Sequence, residues 1–251
     1  MKSYLSLIPI SARVRKRQNR MTILCIIISV LLVTVIFSTA DMNLRGERLY
    51  MEEKHGSWHI CLENISRETG NQIQKRQDVS AAGWSGKFND DAEQPYYIGE
   101  RKAALYGTDP AYMTQLTHGV EEGNFPENDG EILLSSNAKL ALNVNTGDKV
   151  TLRTPAGDKD FVISGFGSDD KEYYQGQTYL VAVYMTSGAF AEIMEENGVK
   201  ADSALYIQFE NAAEAAKAEK EIQRQYGIPE DSVGENTAVM GLAGQSSNES
   251  I

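Results

Sequence analysis

The stretch LYGTDPAYMTQLTHGVEEGNFPENDGEILLSSNAKLALNVNTGDKVTL, residues 105–152, carries the signals of several short elements in a fixed order. A strand comes first, and Pro110 suits the first turn of a short helix for which Thr108 or Asp109 supplies the cap. A polar loop with glycine and proline then separates this helix from an apolar strand, a second short helix and another strand. The predicted ranges are 102–107, 131–136 and 149–154 for the strands, 138–142 for the second helix and 119–130 for the loop.

The sequence on either side of this stretch extends the same alternation. Residues 155–158, PAGD, have the composition of a four-residue hairpin link to a strand over residues 159–166, and residues 169–177 predict a solvated loop. The remaining strands are predicted at 57–62, 78–84, 178–186 and 203–209, and the remaining helices at 65–76, where Gly70 interrupts, at 187–197 and at 211–226, where Asn211 and Glu214 form a capping box. This alternation predicts an α+β layered fold, with βαβ units at both ends of the outer region and a β-rich middle.

An apolar run, residues 21–40, follows the basic cluster RKRQNR and precedes Asp41. As a helix it rises about 30 Å, which matches the hydrocarbon thickness of a bilayer. A cleaved signal peptide is the alternative, since Ser38-Thr39-Ala40 offers small residues of the kind that a signal peptidase reads. The apolar core of a signal peptide is usually about 7 to 15 residues long, so the length of this run favours a retained transmembrane helix.

The distribution of charge gives this helix an orientation. Residues 1–40 contain basic side chains and no acidic ones, which by the positive-inside rule places the N-terminus in the cytoplasm. Residues 41–251 are then extracytoplasmic, beyond the single span of the cell membrane. Residues 1–20 are interpreted as a basic segment that lies on the lipid headgroups of the inner leaflet, and a disordered basic tail is the alternative.

The outer region starts as a helical stalk and is strongly acidic. Residues 41–56 place apolar side chains among charges, so we expect the membrane helix to continue until Gly56 ends it, with a local weakening at Gly46. From residue 41 onward, acidic residues outnumber basic ones and leave a net charge of about −17. A surface this acidic repels the phosphate backbone, which excludes nucleic acid as a partner.

No histidine or cysteine of the outer region suggests a catalytic or metal site. His55 and His59 are four residues apart, but HGSWH lacks the glutamate of a zinc protease and holds a helix-breaking glycine, so both are interpreted as structural surface histidines. His118 has no nucleophile near it in the sequence. Cys61 has no basic neighbour or helix N-terminus that would lower its pKa, so we expect a small buried core residue.

The carboxylates give no stronger signal. Three acidic pairs lie in turn-rich polar stretches and are interpreted as solvated loop charges: Asp90-Asp91, Glu121-Glu122 and Asp169-Asp170. A calcium ion at the last pair is the alternative. The glycine-rich motifs of ATP and dinucleotide binding do not occur in the sequence. The sequence therefore predicts no catalytic, cofactor-binding or metal-binding residue, no cofactor and no enzyme, and it favours a mechanical or binding role.

The basic cluster, the single span, the stalk and the final strand and helix together resemble the permease subunits of MacB/FtsX-type ABC transporters. Residues 105–152 look like the MacB-like periplasmic core domain, and FVISGF at 161–166 matches the strand that follows. The matching positions are Gly107, Gly123 with Pro126, Glu131–Ser135, and Gly147-Asp148 with Val150 and Leu152. These are structural positions: we expect the glycines at 107, 123, 147 and 165 to close strands or turns with positive φ, and Glu131 to have a partner that the sequence does not identify.

The resemblance implies a porter-like subdomain made of residues 57–119 and 200–251, with residues 120–199 inserted as a β-rich lobe. It also implies an ABC-type ATPase subunit that drives the outer domain for export or mechanotransmission, a homodimer or paired permease, and an unknown extracytoplasmic substrate or partner. Permeases of this family have three further spans after the outer domain, so the chain is expected to be a truncated or split permease. The alternative is a single-span, membrane-anchored binding or signalling module.

Overall fold

A computed structural model of the chain describes residues 16–168 and 180–242. The chain divides into two compact units, Met1–Tyr50 and Met51–Ile251. Two sequence predictions lie outside the described residues: the first 15 residues of the basic segment, and the solvated loop at 169–177 with the calcium alternative at Asp169-Asp170.

The first helix, α1 (Lys16–His55), contains the apolar run and is the one described helix that is long and apolar enough to cross a membrane. Hydroxyl groups inside the run are satisfied within the helix, since Ser29 Oγ donates to the Cys25 carbonyl at 2.8 Å and Thr34 Oγ1 to the Val30 carbonyl at 2.9 Å. The predicted continuation of this helix beyond the apolar run is confirmed, and so is its end at Gly56, where φ is +80°.

The rest of the described chain is a mixed α/β domain built on a single hydrogen-bonded sheet. Its strands are β1 (Ile60–Glu63), β2 (Val79–Phe88), β3 (Tyr97–Ile98), β4 (Arg101–Thr108), β5 (Val120–Gly123), β6 (Glu131–Ser135), β7 (Lys149–Thr154), β8 (Gly157–Gly167), β9 (Val181–Thr186), β10 (Asp202–Phe209) and β11 (Val233–Glu235). Its helices are α2 (Arg67–Gln74), α3 (Asn137–Leu142), α4 (Ser187–Glu196), α5 (Ala212–Tyr226) and α6 (Thr237–Leu242), with a π-helical turn at Tyr112–Leu116 and a 3₁₀ turn at Glu230–Ser232.

One part of the sheet, which we call the end sheet, has the strand order β11-β1-β10-β2 with every neighbouring pair antiparallel. Helices α2 and α5 pack on one of its faces. They enclose a core made of Ile60, Leu62, Ile73, Trp84, Leu205, Ile207, Phe209, Ala215, Ala218, Ile222 and Met240. The alternation of buried and less buried residues along β10 follows from the two-residue period of a strand, which directs every second side chain to the helices.

The sheet continues from β2 into β4, where it closes on itself. The strands β4-β3-β7-β8-β6-β9 are successive neighbours, and β9 pairs with β4 in parallel to complete a ring, which we call the barrel. Its core contains Tyr96, Ile98, Ala103, Leu105, Ile132, Leu134, Leu152, Phe161, Ile163, Phe166, Val181, Val183 and Met185, and α4 adds Phe190 and Ile193. Closure leaves these six strands without a free edge between them.

Several predicted elements have the predicted bounds to within a few residues. Strand β6 and helix α3 occur as expected, and helix α5 begins after Asn211, whose side chain accepts a hydrogen bond from the Glu214 amide. Gly227, at φ +65°, ends α5. These elements are specified by local signals, namely an apolar run, a cap and a terminating glycine.

Three local predictions are wrong. The π-helical turn has no side-chain cap, because the Asp109 carboxylate instead accepts from the Trp84 amide at 3.1 Å and from Ser187 Oγ at 3.0 Å. The loop predicted at 119–130 contains strand β5, which pairs with β8. The hairpin link is two residues rather than four, since Thr154 pairs directly with Gly157. The predictions also missed the two-residue strand β3.

The glycines act partly through close packing. Gly123 and Gly147 have the expected positive φ, but Gly107 and Gly165 do not. A Cβ at Gly107 would lie 2.3 Å from Phe190 Cβ, and one at Gly165 would lie 2.2 Å from the Glu122 carbonyl oxygen. Gly70, predicted to interrupt a helix, lies within α2, where a Cβ would be 2.3 Å from Trp84 Cζ2. These glycines are required because neighbouring groups occupy the space of a side chain.

Candidate functional site

The histidines of the predicted surface pair have different environments. His59 is 2% exposed, so the interpretation as a surface residue is wrong for it, and its Nδ1 accepts from the Phe209 amide at 3.1 Å. His55 is exposed and is the last residue of α1. His118 is exposed as well, with φ +50°. Within residues 16–168 and 180–242, no three histidine, cysteine or acidic side chains are grouped so as to hold a metal ion.

Cys61 is a buried residue of β1, as the sequence predicted. Burial, reinforced by the nearby Glu63 carboxylate, raises the pKa of the thiol to about 11. The thiol is therefore protonated at neutral pH, which is the state of an inert core cysteine and not of a nucleophile.

The described acidic pairs have structural partners. Asp90 lies 3.5 Å from Lys87 Nζ, and Glu122 lies 2.6 Å from Lys139 Nζ. The partner of Glu131 is the loop before it, because its carboxylate accepts from the Glu127 amide and the Asn128 side-chain amide, both at 2.9 Å. These carboxylates stabilise local geometry at the surface.

A more elaborate arrangement surrounds the turn at residues 56–58, where the chain leaves α1 and enters the end sheet. Ser57 donates from its main-chain amide to the Leu116 carbonyl at 2.6 Å, and its hydroxyl oxygen lies 3.2 Å from the same carbonyl oxygen. A Cβ at Gly56 would lie 2.8 Å from that oxygen. Only a glycine can therefore occupy this position without displacing the π-helical turn, both for its space and for its positive φ.

Asn236 holds the other side of this turn. It is 4% exposed, and its side-chain amide nitrogen donates to the carbonyls of Trp58 at 2.9 Å and Gly56 at 3.0 Å, with a longer contact of 3.4 Å to that of His55. Its main-chain amide donates to the His59 carbonyl at 2.9 Å. Gly56 and Trp58 follow the last residue of α1, so an amide that satisfies their carbonyls fixes the turn by which the chain leaves the helix.

Asn236 also starts helix α6. Its main-chain carbonyl accepts from the amides of Val239 at 3.1 Å and Met240 at 2.8 Å, and its side-chain oxygen lies 3.4 Å from the Val239 amide nitrogen. The preceding strand β11 pairs antiparallel with β1, and Glu235 lies opposite Ile60. The start of β1 and the end of β11 therefore lie at the same end of the sheet. We call the turn at 56–58 together with Leu116 and Asn236 the joint.

An aromatic cluster supports the joint on the face of the end sheet opposite α2 and α5. The Tyr206 ring packs edge-on with Trp58 at 5.0 Å and Tyr112 at 4.8 Å between ring centroids. Burial raises the pKa of the Tyr206 hydroxyl, with a smaller contribution from Tyr112. Gly83 gives the π-helical turn room, since a Cβ there would lie 2.6 Å from the Tyr112 nitrogen. Contacts on the sheet thus position the carbonyl of Leu116 that the joint uses.

A carboxyl pair lies beside the joint. Burial and the neighbouring Glu235 raise the pKa of Glu219 on α5 from 4.5 to about 7, with an added contribution from Glu230 and an opposing one from Lys220. At acidic pH the pair shares a proton and forms a hydrogen bond between α5 and the edge strand β11.

Sequence reasoning did not identify Asn236. The motif Asn236-Thr237 before AVM has the pattern of a helix cap, which is the local signal that was available. The partners of its side chain, Gly56 and Trp58, are 180 and 178 residues away in the sequence, and no local pattern indicates that contact.

Comparisons with known proteins give one family match and several similar structures. The sequence profile of the MacB-like periplasmic core domain matches residues 21–225. No curated protein matches the chain. Among solved structures, the periplasmic region of MacB from Actinobacillus actinomycetemcomitans is similar at 13% identity and a TM-score of 0.48, with 76% of this chain and 94% of that chain covered. The extracellular domain of the noncanonic ABC-type transporter YknZ from Gram-positive bacteria is similar at 16% identity and a TM-score of 0.45, with 70% and 98% covered.

Proposed function

Because the chain belongs to the family of MacB-like periplasmic core domains, we propose that it provides the first membrane helix and the outer domain of a MacB/FtsX-type ABC transporter permease. The family is a component of transporter permeases and not itself an enzyme. The proposal adds that a separate ABC-type ATPase subunit supplies ATP hydrolysis, and that motion reaches the outer domain through α1 for export or mechanotransmission.

The match of the family profile carries this proposal. It begins at residue 21, inside the apolar run, and continues to residue 225 in α5, so the profile spans the membrane helix and most of the outer domain together. Helix α1 is continuous over 40 residues, without proline. A helix without proline can keep its hydrogen bonds from turn to turn, which favours the transmission of a displacement along the chain.

The division of the outer domain is part of the proposal. We propose that residues 57–119 and 200–251 form the porter-like subdomain and that residues 120–199 form the inserted lobe. The end sheet supports the part of this division that joins the two ends of the region, since β10 lies between β1 and β2, and β1 lies between β10 and β11. Each pair of parallel strands is thus connected by a helix and separated by a strand of the other pair, which is a split βαβ arrangement. Strands β3 and β4, within residues 57–119, pair into the barrel, which therefore draws on both proposed parts.

We propose the orientation from the distribution of charge and the assembly from the family. The basic residues before the apolar run favour a cytoplasmic N-terminus in contact with lipid headgroups, and the acidic region from residue 41 onward favours an extracytoplasmic location. A homodimer or a paired permease would supply a symmetrical outer surface for a substrate or protein partner whose identity is open.

Purification with the ATPase tests the proposal. The protein is expressed together with a candidate ABC-type ATPase from the same organism, and an affinity tag on the permease is used for capture. We expect the ATPase to co-purify in a fixed ratio and an unrelated ABC ATPase to be absent. Failure to capture either ATPase would favour a single-span binding or signalling module.

Labelling in intact cells tests the orientation. In a chain with Cys25 and Cys61 replaced by alanine, a cysteine is placed at the exposed Leu140 or at Ser3. A membrane-impermeant maleimide is expected to label Leu140→Cys in intact cells and Ser3→Cys only after permeabilisation. The reverse pattern would contradict the proposed orientation.

A further inference from the structure

We infer that the side chain of Asn236 is a mechanical clamp that joins the C-terminal end of α1 to the start of α6. A pull on one of these helices is then passed directly to the other, before the strands of the end sheet are loaded. The biological meaning of this clamp rests on the proposed function, in which α1 transmits motion, but the clamp itself is a property of this chain alone.

The first argument is the concentration of contacts in one buried residue. Asn236 bonds to the carbonyls of Gly56, Trp58 and His59 on one side and to the amides of Val239 and Met240 on the other. The side-chain amide accounts for the contacts to Gly56 and Trp58, so removing it opens the connection to the helix end while the main-chain bonds remain. The buried carbonyl of Gly56 and the part-buried carbonyl of Trp58 would also lose this partner, which makes the loss costly.

The second argument is the direction of the strands beyond the clamp. Strands β1 and β11 are antiparallel, and the paired residues nearest the joint are Ile60 and Glu235. Forces applied before β1 and after β11 therefore pull the two strands apart from one end, and their hydrogen bonds break one after another instead of together. In such a geometry, the contacts ahead of the first pair carry the force, and those contacts are the ones made by Asn236.

The third argument is that the turn has an independent attachment. Ser57 is bonded to Leu116, and neither group contacts Asn236 in the hydrogen-bond network of the joint. Loss of the clamp should therefore release α6 from the turn while the turn stays fixed to the π-helical segment. Release of α6 with the turn still attached distinguishes loss of the clamp from a general loosening of the domain.

Force measurements on the full chain in nanodiscs test the inference. Handles are attached through Glu53→Cys, an exposed position of α1, and Gly241→Cys, where a Cβ meets no atom within 4 Å. Cys25 is replaced by alanine, and the buried Cys61 stays unlabelled. The variant Asn236→Ser removes the amide donors and keeps a hydroxyl that can cap α6. The control Asn211→Ser makes the same change at the start of α5, away from the joint.

At a constant force between these handles, we expect Asn236→Ser to separate the ends about tenfold faster, since it loses two hydrogen bonds. Asn211→Ser is expected to leave this rate unchanged. With handles at the exposed Ala213 and Lys149, the pull does not pass through the joint, and Asn236→Ser is expected to have no effect. The clamp would be overturned if Asn236→Ser and Asn211→Ser raised the separation rate equally, or if Asn236→Ser raised it with both pairs of handles. It would also be overturned if neither variant changed the rate.

Hydrogen exchange gives a second readout that does not depend on handles. In Asn236→Ser the main-chain amide of residue 236, which donates to the His59 carbonyl across the joint, is expected to exchange about tenfold faster, while that of Ser57, bonded to Leu116, keeps its protection. Loss of protection at Ser57 as well would show general loosening and overturn the inference. Neither measurement uses an ATPase, so a confirmed clamp together with failed ATPase capture would contradict the proposed function alone.

Discussion

The end sheet and the barrel bury their apolar side chains in different ways. In the end sheet, two helices cover one face of open strands, and the three-residue edge strand β11 is held by a single pairing with β1. In the barrel, the strands β3, β4 and β6–β9 curve around their own core and leave no edge within the ring. The end sheet combines residues from both ends of the outer region, whereas the barrel is formed by residues 97–186.

The two regions depend to different extents on contacts between residues that are distant in sequence. The barrel closes within one continuous stretch of chain, since its closing pair, Ala103 and Val181, is 78 residues apart, compared with 147 for Ile60 and Ile207 of the end sheet. The end sheet requires β10 and β11 to return to β1, and the chain between β1 and β10 includes the whole barrel. The two regions meet at β2 and β4, where the Phe190 ring from α4 lies against Gly86 and Gly107.

Matched core substitutions should have the largest effect and test whether the two regions unfold together. Leu134 in the barrel and Leu205 in the end sheet are both fully buried. We expect Leu134→Ala and Leu205→Ala each to lower the free energy of unfolding by about 3 kcal/mol. Both tryptophans, Trp58 and Trp84, belong to the end sheet and its joint, so fluorescence reports that region while circular dichroism reports all strands.

In urea titrations of the full chain in detergent, both variants should show one midpoint by the two probes, because the sheet is continuous from β11 to the barrel. A Leu134→Ala transition seen by circular dichroism at lower urea, with fluorescence unchanged, would mean that the barrel unfolds by itself. The end sheet and the barrel would then be two independent folding units.

A methyl group at the contact between the regions should have a smaller but clear effect. The Cβ of Gly107→Ala would lie 2.3 Å from Phe190 Cβ, so α4 must shift. We expect a loss of about 2 kcal/mol in the free energy of unfolding, measured by the same titration. Gly241→Ala is the control, since a Cβ there meets nothing within 4 Å and should not destabilise the protein.

The carboxyl pair should make the end sheet depend on pH. The pKa of Glu219 is raised from 4.5 to about 7 in the folded protein, so the folded state holds the proton more tightly than the unfolded one. The resulting stability is complete below pH 4.5 and is lost as the pH rises through 7. Because Glu219 is half-exposed and screened by solvent, we expect the free energy of unfolding to be only about 1 kcal/mol higher at the acidic end of this range than at the alkaline end.

Urea midpoints measured from pH 4.5 to pH 8 test this dependence. The variant Glu219→Gln should flatten the profile, whereas Glu195→Gln, an exposed position on α4 beside the barrel, should leave it as in the parent chain. If the urea midpoint of Glu219→Gln changed with pH as steeply as that of the parent chain, the carboxyl pair would not be the source of the pH dependence.

The smallest effect is expected at a surface ion pair of the barrel. Glu122 and Lys139 lie 2.6 Å apart and are about half exposed. Glu122→Gln should lower the free energy of unfolding by less than about 0.5 kcal/mol in low salt and by no measurable amount in high salt, since solvent and ions screen such pairs. A loss above 1 kcal/mol would mean that this pair holds β5 on the barrel, which surface electrostatics cannot explain.

The sequence signals predicted the elements that local chemistry specifies. The apolar run of β6, the caps and glycine of α5, and the length of α1 each produced a correct element. They failed at β3 and β5, which are two and four residues long and exist because β7 and β8 offer partners for their backbones. The buried His59 was also misjudged, because its burial depends on the Phe209 amide of a strand that is distant in sequence.

Length, charge and residue type are properties of the chain, so the apolar helix long enough to span a membrane and the acidic α/β outer region can be predicted without coordinates. The same holds for the lack of a catalytic motif in the sequence. Tertiary structure alone decided that the strands close into a barrel, that Gly70 and Gly107 make room for rings, and that Asn236 binds the carbonyls of Gly56 and Trp58. A hydrogen bond or a close contact needs two groups that meet in space, and the type of one residue does not show which distant residue it will meet.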